Sequence, residues 1–164
     1  MAEMNITPEI IAEQMRAIGL ECRIEEIAGR EAVVYDYPDE PGLPEDCNVT
    51  IEQLSEDTKG IGILVTVFSG LGKQQTENAA KVIGHFNRFL RVGSFSVISD
   101  GAVFLSHTFL LDGELQPVNT LAAFFATLDA VSSAAAEGRQ QLLPLINGEL
   151  TCEQLTEQGI FVDQ

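Results

Sequence analysis

Between Leu20 and Val67 the apolar residues fall at every second position in four consecutive runs, with short turns between them. Cys22 and Ile24 begin the first run and Val33, Tyr35 and Tyr37 form the second. Cys47, Val49 and Ile51 make the third, and Ile61, Ile63, Val65 and Val67 the fourth. A period of two marks a strand with one face towards a core and one towards solvent. Polar Asn48, Thr50 and Glu52 occupy the opposite face of the third run. The fourth run turns apolar on both faces near its end, which reads as a central strand. Ala28-Gly29-Arg30, the proline- and acid-rich stretch 38–46, and Glu56 to Gly60 supply the turns.

Helical signals flank this block. Thr7-Pro8 places a hydroxyl cap before a proline at the first helical position, and Gly19 supplies the stop. Ile10, Ile11, Met15 and Ile18 recur between them at helical spacing. A second helix is predicted over roughly 74–92, with Ala79, Val82, Ile83, Phe86 and Leu90 on one face. Two further strands, 95–99 and 102–111, are joined by Asp100-Gly101, a two-residue hairpin signal, and Asp112-Gly113 turns again. A long helix follows from about Asn119 to Leu143. A short last helix is capped by Thr151 with Gln154 three residues on, and ends at Gly159.

The predicted order is therefore α-β-β-β-β-α-β-β-α-α. Strands in runs joined by short turns, with few crossovers, indicate an α+β fold with an antiparallel sheet covered by helices. At 164 residues, with no linker and no internal repeat, the chain reads as one domain.

Charge narrows the partners. Acids outnumber bases 25 to 9, for a formal charge of −16. Residues 1–60 carry a net −11 and residues 109–164 a net −7, whereas 61–108 carry +2. Such a surface repels phosphate backbones and anionic lipid heads, so neither nucleic acid nor membrane is expected as a partner. It would steer basic partners towards the protein. The N-terminus has no basic region followed by an apolar one, and the most apolar stretch, Leu121 to Leu128, is too short to span a bilayer. Cys22, Cys47 and Cys152 are scattered and read as reduced thiols, two of them in strands, in a cytoplasmic protein.

Candidate sites are few. Ser69-Gly70-Leu71-Gly72-Lys73 occupies the place of a phosphate-binding loop. However, Val67 stands where that loop needs glycine, and Gln74 where it needs a hydroxyl. A strand-to-helix turn is the better reading. Lys73, Lys81, His85, Arg88 and Arg91 form the only basic cluster and are the candidate residues for a small anion or metal. Asp36, Asp39, Glu40, Glu45 and Asp46 surround the 38–46 loop but lack the spacing of a calcium site, so they read as a solvated acidic loop. His107 shares a strand face with Val103, Leu105, Phe109 and Leu111. No nucleophile, base and orienting group can be brought together around it, so no enzymatic role, metal or cofactor is expected. The long helix carries a core stripe through Leu121, Phe124, Phe125, Leu128, Val131 and Ala135, with Ala123, Ala126, Ala130 and Ala134 opposite. A helix apolar nearly all round has to be buried nearly all round, and a homodimer interface through those alanines would achieve it.

Asn87-Arg88 near the end of the second helix, the Asp100-Gly101 hairpin, the apolar run Val103 to Leu111 and the Gly113 turn into a long helix resemble the YbjN family. The helix from Thr7-Pro8-Glu9 to Gly19-Leu20 fits the same pattern, which covers about residues 6–145. Residues 146–164 fall outside it as a C-terminal extension, and 38–46 looks like an insertion. That family is similar in fold to the type III secretion chaperones. The resemblance implies a homodimeric, non-enzymatic protein of the bacterial cytoplasm that holds extended segments of partner proteins.

Overall fold

The computed structural model describes residues 5–111 and 117–158. Helix α1 (Pro8–Ala17) leads into β1 (Cys22–Ile27), β2 (Arg30–Asp36), β3 (Asp46–Gln53) and β4 (Lys59–Phe68). Helix α2 (Lys73–Asn87), β5 (Ser94–Ile98), β6 (Ala102–Leu111), α3 (Pro117–Ile146) and α4 (Cys152–Glu157) follow. The expected α+β order holds. The six strands form one antiparallel sheet in the order β1-β2-β3-β4-β6-β5. Strand β4 lies inside the sheet, as its doubly apolar end required. The α2–β5 excursion carries the chain past β6, which then returns between β4 and β5.

Local chemistry explains where each element starts and stops. Thr7 accepts a hydrogen bond from the Ile10 amide, and α1 closes with Gly19 at φ 88° and Leu20 N–H bonded to Met15 C=O at 3.0 Å. The β1–β2 hairpin pairs Ile27 with Arg30 across a two-residue turn in which Ala28 and Gly29 both have positive φ, 51° and 77°. At the start of α4 the expected capping box forms, with Gln154 N–H donating to Thr151 Oγ1 at 3.2 Å and Thr151 N–H to Gln154 Oε1 at 2.9 Å.

All four helices pack on one face of the sheet or on each other. Helix α1 lies over β1, β2 and β3, α2 over β5, α3 over β4 and β6, and α4 against α2 and α3. The core fills the space between, with Ile11, Met15, Val33, Val49, Ile61, Ile63, Val65, Phe86, Leu105, Phe124 and Leu142 fully buried. At the end of β4 a register shift between Thr66 and Phe68 turns Phe68 back to the helix side, so Val67 and Phe68 both enter the core. This bulge is the physical content of the doubly apolar strand end.

Several boundaries differ from the sequence reading. Ile18 is not part of the core face of α1; it caps the helix and is 62 % exposed. Helix α2 ends at Asn87, five residues short, because the Asn87 side chain leaves the helix to bond β5. Its Nδ2 donates to Phe95 C=O at 2.9 Å and its Oδ1 accepts from Phe95 N–H at 2.7 Å. Leu90 is therefore off the helical face assigned to it. The β5–β6 connection is a three-residue loop, with Ile98 paired to Ala102 and Gly101 at φ 94°. Helix α3 runs on to Ile146, and Pro144 sits within its last turn. The Asp112-Gly113 turn and the Gly159 helix end lie outside the described residues.

Candidate functional site

Among the described residues, the helices leave the other face of the sheet bare. Alternation sends Arg23, Glu25, Ala32, Val34, Asn48, Thr50, Glu52, Gly60, Gly62, Leu64, Phe104, Ser106, Thr108 and Leu110 to that face, from β1 through β6. Among the described residues, the large apolar side chains left exposed are Ile18, Ile27, Leu54, Leu64, Phe89, Ile98 and Leu110. All but Ile18 and Phe89 belong to the bare face. Ile27, Leu64, Ile98 and Leu110 stand there by strand parity, and Leu54 by folding over Gly60.

The face has two unlike halves. On β1 and β2 it is laced with charge: Arg23 Nη1 donates to Asp36 Oδ2 at 2.6 Å and Arg23 Nε to Glu25 Oε1 at 2.5 Å. Beneath this cover Ala32 and Val34 are buried. On β4, β6 and β5 the outward positions are glycine, serine, threonine, leucine, isoleucine and phenylalanine, with no ionisable side chain. Between the halves lies a depression of about 230 Å³, lined by Ala32, Asn48, Thr50, Glu52, Gly62, Leu64, Ser106 and Thr108 and rimmed by Ile27 and Arg30. Over Gly62 the Glu52 carboxylate folds into the space a β-carbon would fill, so this acid forms part of the floor.

The two sheet edges also differ. Ile27 and Arg30 close a two-residue turn and so form a hydrogen-bonded pair; alternation then leaves the backbone groups of Cys22, Ile24 and Glu26 pointing away from β2. The Cys22 carbonyl accepts from Arg16 Nη2 at 3.0 Å, which leaves Ile24 and Glu26 as the open part of this edge. On β5 the outward N–H and C=O of Phe95 are both taken by Asn87. An amide side chain there does what a seventh strand would do.

The basic residues do not converge. Lys73 opens α2, Lys81 lies two turns on, Arg88 caps the far end, and Arg91 lies beyond the helix. A helix of this length spans about 22 Å, so Lys73 and Arg88 stand too far apart to hold one small anion. His85 rests edge-on against Phe89, with ring centroids 5.2 Å apart. At the α2 N-terminus one N–H is served: Gly72 N–H donates to Gln75 Oε1 at 2.8 Å, while Gln75 Nε2 donates to Ile146 C=O at 3.0 Å.

On α3, Ala123, Ala126 and Ala130 are exposed as a small-residue stripe. Ala134 is not part of it. It is 4 % exposed and belongs to the protein's own core.

The acidic loop is solvated at its tip, where Pro38 to Pro41 are exposed, but its C-terminal end is held by the body of the protein. Pro44 is buried, and Tyr37 Oη meets Ser132 Oγ of α3 at 2.7 Å. Arg139, the only base after residue 108, donates to the carbonyls of Pro41 (2.9 Å) and Val67 and stacks over the Phe68 ring at 4.3 Å. Glu45 accepts from Ser69 N–H at 3.1 Å and from Ser69 Oγ, pinning the loop to the end of β4. Burial lowers the Arg139 pKa and raises those of Tyr37 and Cys47, the Cys47 thiol to about 12. Among the described residues no group of three acids, histidines or cysteines is placed to hold a metal ion. His107 pairs with Ile63 and points to the helix side, whereas Glu52, Ser106 and Thr108 of the depression point to the bare side.

No helix among the described residues is long and apolar enough to cross a membrane. No protein-family model and no curated protein matches the chain.

Proposed function

We propose that the chain is a non-enzymatic protein-binding module, chaperone-like or regulatory, that acts in the cytoplasm as a homodimer and holds extended segments of another protein. The observation that carries the reading is that, among the described residues, the sheet is covered on one face only. The exposed apolar side chains gather on the bare face, and β1 offers an open edge beside it. The likeness of residues 6–145 to the YbjN pattern, with its type III secretion chaperone-like fold, supports the same reading.

Extended segments bind by adding a strand to such an edge. Around β1 stand Glu21, Glu25, Glu26 and Glu31, so the segment that fits is basic. These edge charges also keep β1 from pairing indiscriminately. Hydrogen exchange on the chain with a captured partner tests this. The amides of Ile24 and Glu26 should slow on binding, and Ile24→Pro should abolish capture while leaving the β1–β2 ladder intact. Protection confined to α2, with thermal stabilisation by phosphate, would instead favour anion binding along α2, by a part of the set Lys73, Lys81, His85, Arg88 and Arg91.

A further inference from the structure

We propose that the bare face of the sheet packs against the same face of a second copy, sheet on sheet about a two-fold axis. The inference rests on the homodimer just proposed and assigns its interface to β4, β6 and β5 together with the central depression, instead of to the α3 alanines.

A two-fold interface must be complementary to itself, so one patch has to carry both projections and hollows. This patch does. Leu110, 63 % exposed, projects from β6, and the hollow of about 230 Å³ over Gly62 lies a few residues away on the same surface. Rotation about an axis between them brings the leucine of each copy to the hollow of the other.

Charge favours the same pairing. With a formal charge of −16, two copies repel wherever acidic surfaces meet. The outward side of β4, β6 and β5 bears no ionisable group, and the depression beside it adds one base and one acid, Arg30 and Glu52, so here two copies can approach with no excess of like charge. Serine and threonine in place of lysine and glutamate are costly for solubility and useful for a dry contact.

The area is sufficient. Strands spaced about 4.8 Å apart and about 23 Å long give a five-strand face of roughly 24 by 23 Å, from β2 to β5, in which β2 and β3 contribute Arg30 and Glu52. Two such faces remove on the order of 1,100 Å² from solvent, above the ~1,000 Å² that marks a specific interface. The β1 edge stays outside this contact and remains free for an extended segment.

Light scattering and sedimentation of the full chain test the assignment. Wild type should have twice the mass of one chain at micromolar concentration, and the dimer should tighten as salt is raised, since screening removes the repulsion. Leu110→Glu or Thr108→Arg should weaken it about a hundredfold, the scale of losing a central anchor. Both positions are on the bare face, so circular dichroism should be unchanged. Ala126→Arg should leave the dimer intact. A dimer that survives Leu110→Glu and Thr108→Arg but is lost in Ala126→Arg overturns this interface and leaves the homodimer standing. A wild-type monomer overturns both. If that monomer takes up bis-ANS, and Leu110→Glu does not, the face belongs to an apolar partner of another kind.

Discussion

Strand β4 belongs to two environments at once. Towards the helices it presents Ile61, Ile63, Val65 and Val67, none more than 1 % exposed. Towards the bare side it presents Gly60, Gly62 and Leu64, and neighbouring β6 adds Ser106, Thr108 and Leu110. A solvated sheet face would normally carry charge, and the β1–β2 half does, through Arg23, Glu25 and Asp36. The uncharged half is thus unlike both the core and ordinary surface. It is too polar to be buried by the chain's own helices and too free of charge to be left to water in so acidic a protein.

The sharpest way to break the comparison is to remove a side chain from each face. Phe124 lies fully buried between α3 and the sheet, with its ring 5.9 Å from that of Phe109. Phe124→Ala should cost about 3–5 kcal/mol in urea unfolding. A loss below about 1 kcal/mol would mean that α3 does not clamp the covered face.

A pH titration probes the same face without a cavity. Burial raises the Cys47 thiol from 9.0 to about 12, and it raises Tyr37 as well. Both groups stay neutral in the folded protein while the unfolded chain ionises. Their contribution is fully present below pH 9 and is lost as pH rises towards the folded values. Unfolding free energy should fall by about 2–4 kcal/mol across that window, and Cys47→Ala should flatten the profile. An unchanged slope in the variant would place Cys47 nearer solvent than the core packing does.

Next in size is the contact between α3 and β5. A β-carbon at Gly138 would overlap the Phe95 ring, which itself stands edge-on to Phe86 at 5.9 Å. Gly138→Ala gains about 1 kcal/mol of helix propensity but overpacks the core at about 1–3 kcal/mol. The net effect should be a lower melting temperature, and a rise would show that β5 can yield. The smallest effect is expected on the other side of the sheet. Leu110→Ala, measured where the protein is monomeric, should change stability by about 0.5 kcal/mol or less. A larger loss would mean that the bare face is packed within one copy.

Much of this was legible in the residues. The four runs of alternating apolar residues, the caps at Thr7 and Thr151 and the stripe Ala79, Val82, Phe86 appear as the strands, caps and buried helix face they specify. Alternating Gly60 and Gly62 marked one face of β4 as unable to fill space. In the sequence Gly60 reads as the end of the Glu56–Gly60 turn, whereas it lies inside β4, and Gly62 carries no chemistry of its own. Arg139 carried a signal too, as the lone base of its segment on a helix with an apolar stripe, yet its partners, the carbonyls of Pro41 and Val67, lie far away in sequence.

What the sequence determined by itself was local: the period of each element, its start and stop, and the sign of the surface. Which face of the sheet is covered, where Ala134 ends up, why α2 stops at Asn87 and how the acidic loop is held were decided by tertiary structure. A period of two states that the faces of a strand differ. It does not state what lies over each, because cover comes from elements tens of residues away, and its free energy is gained only when they meet.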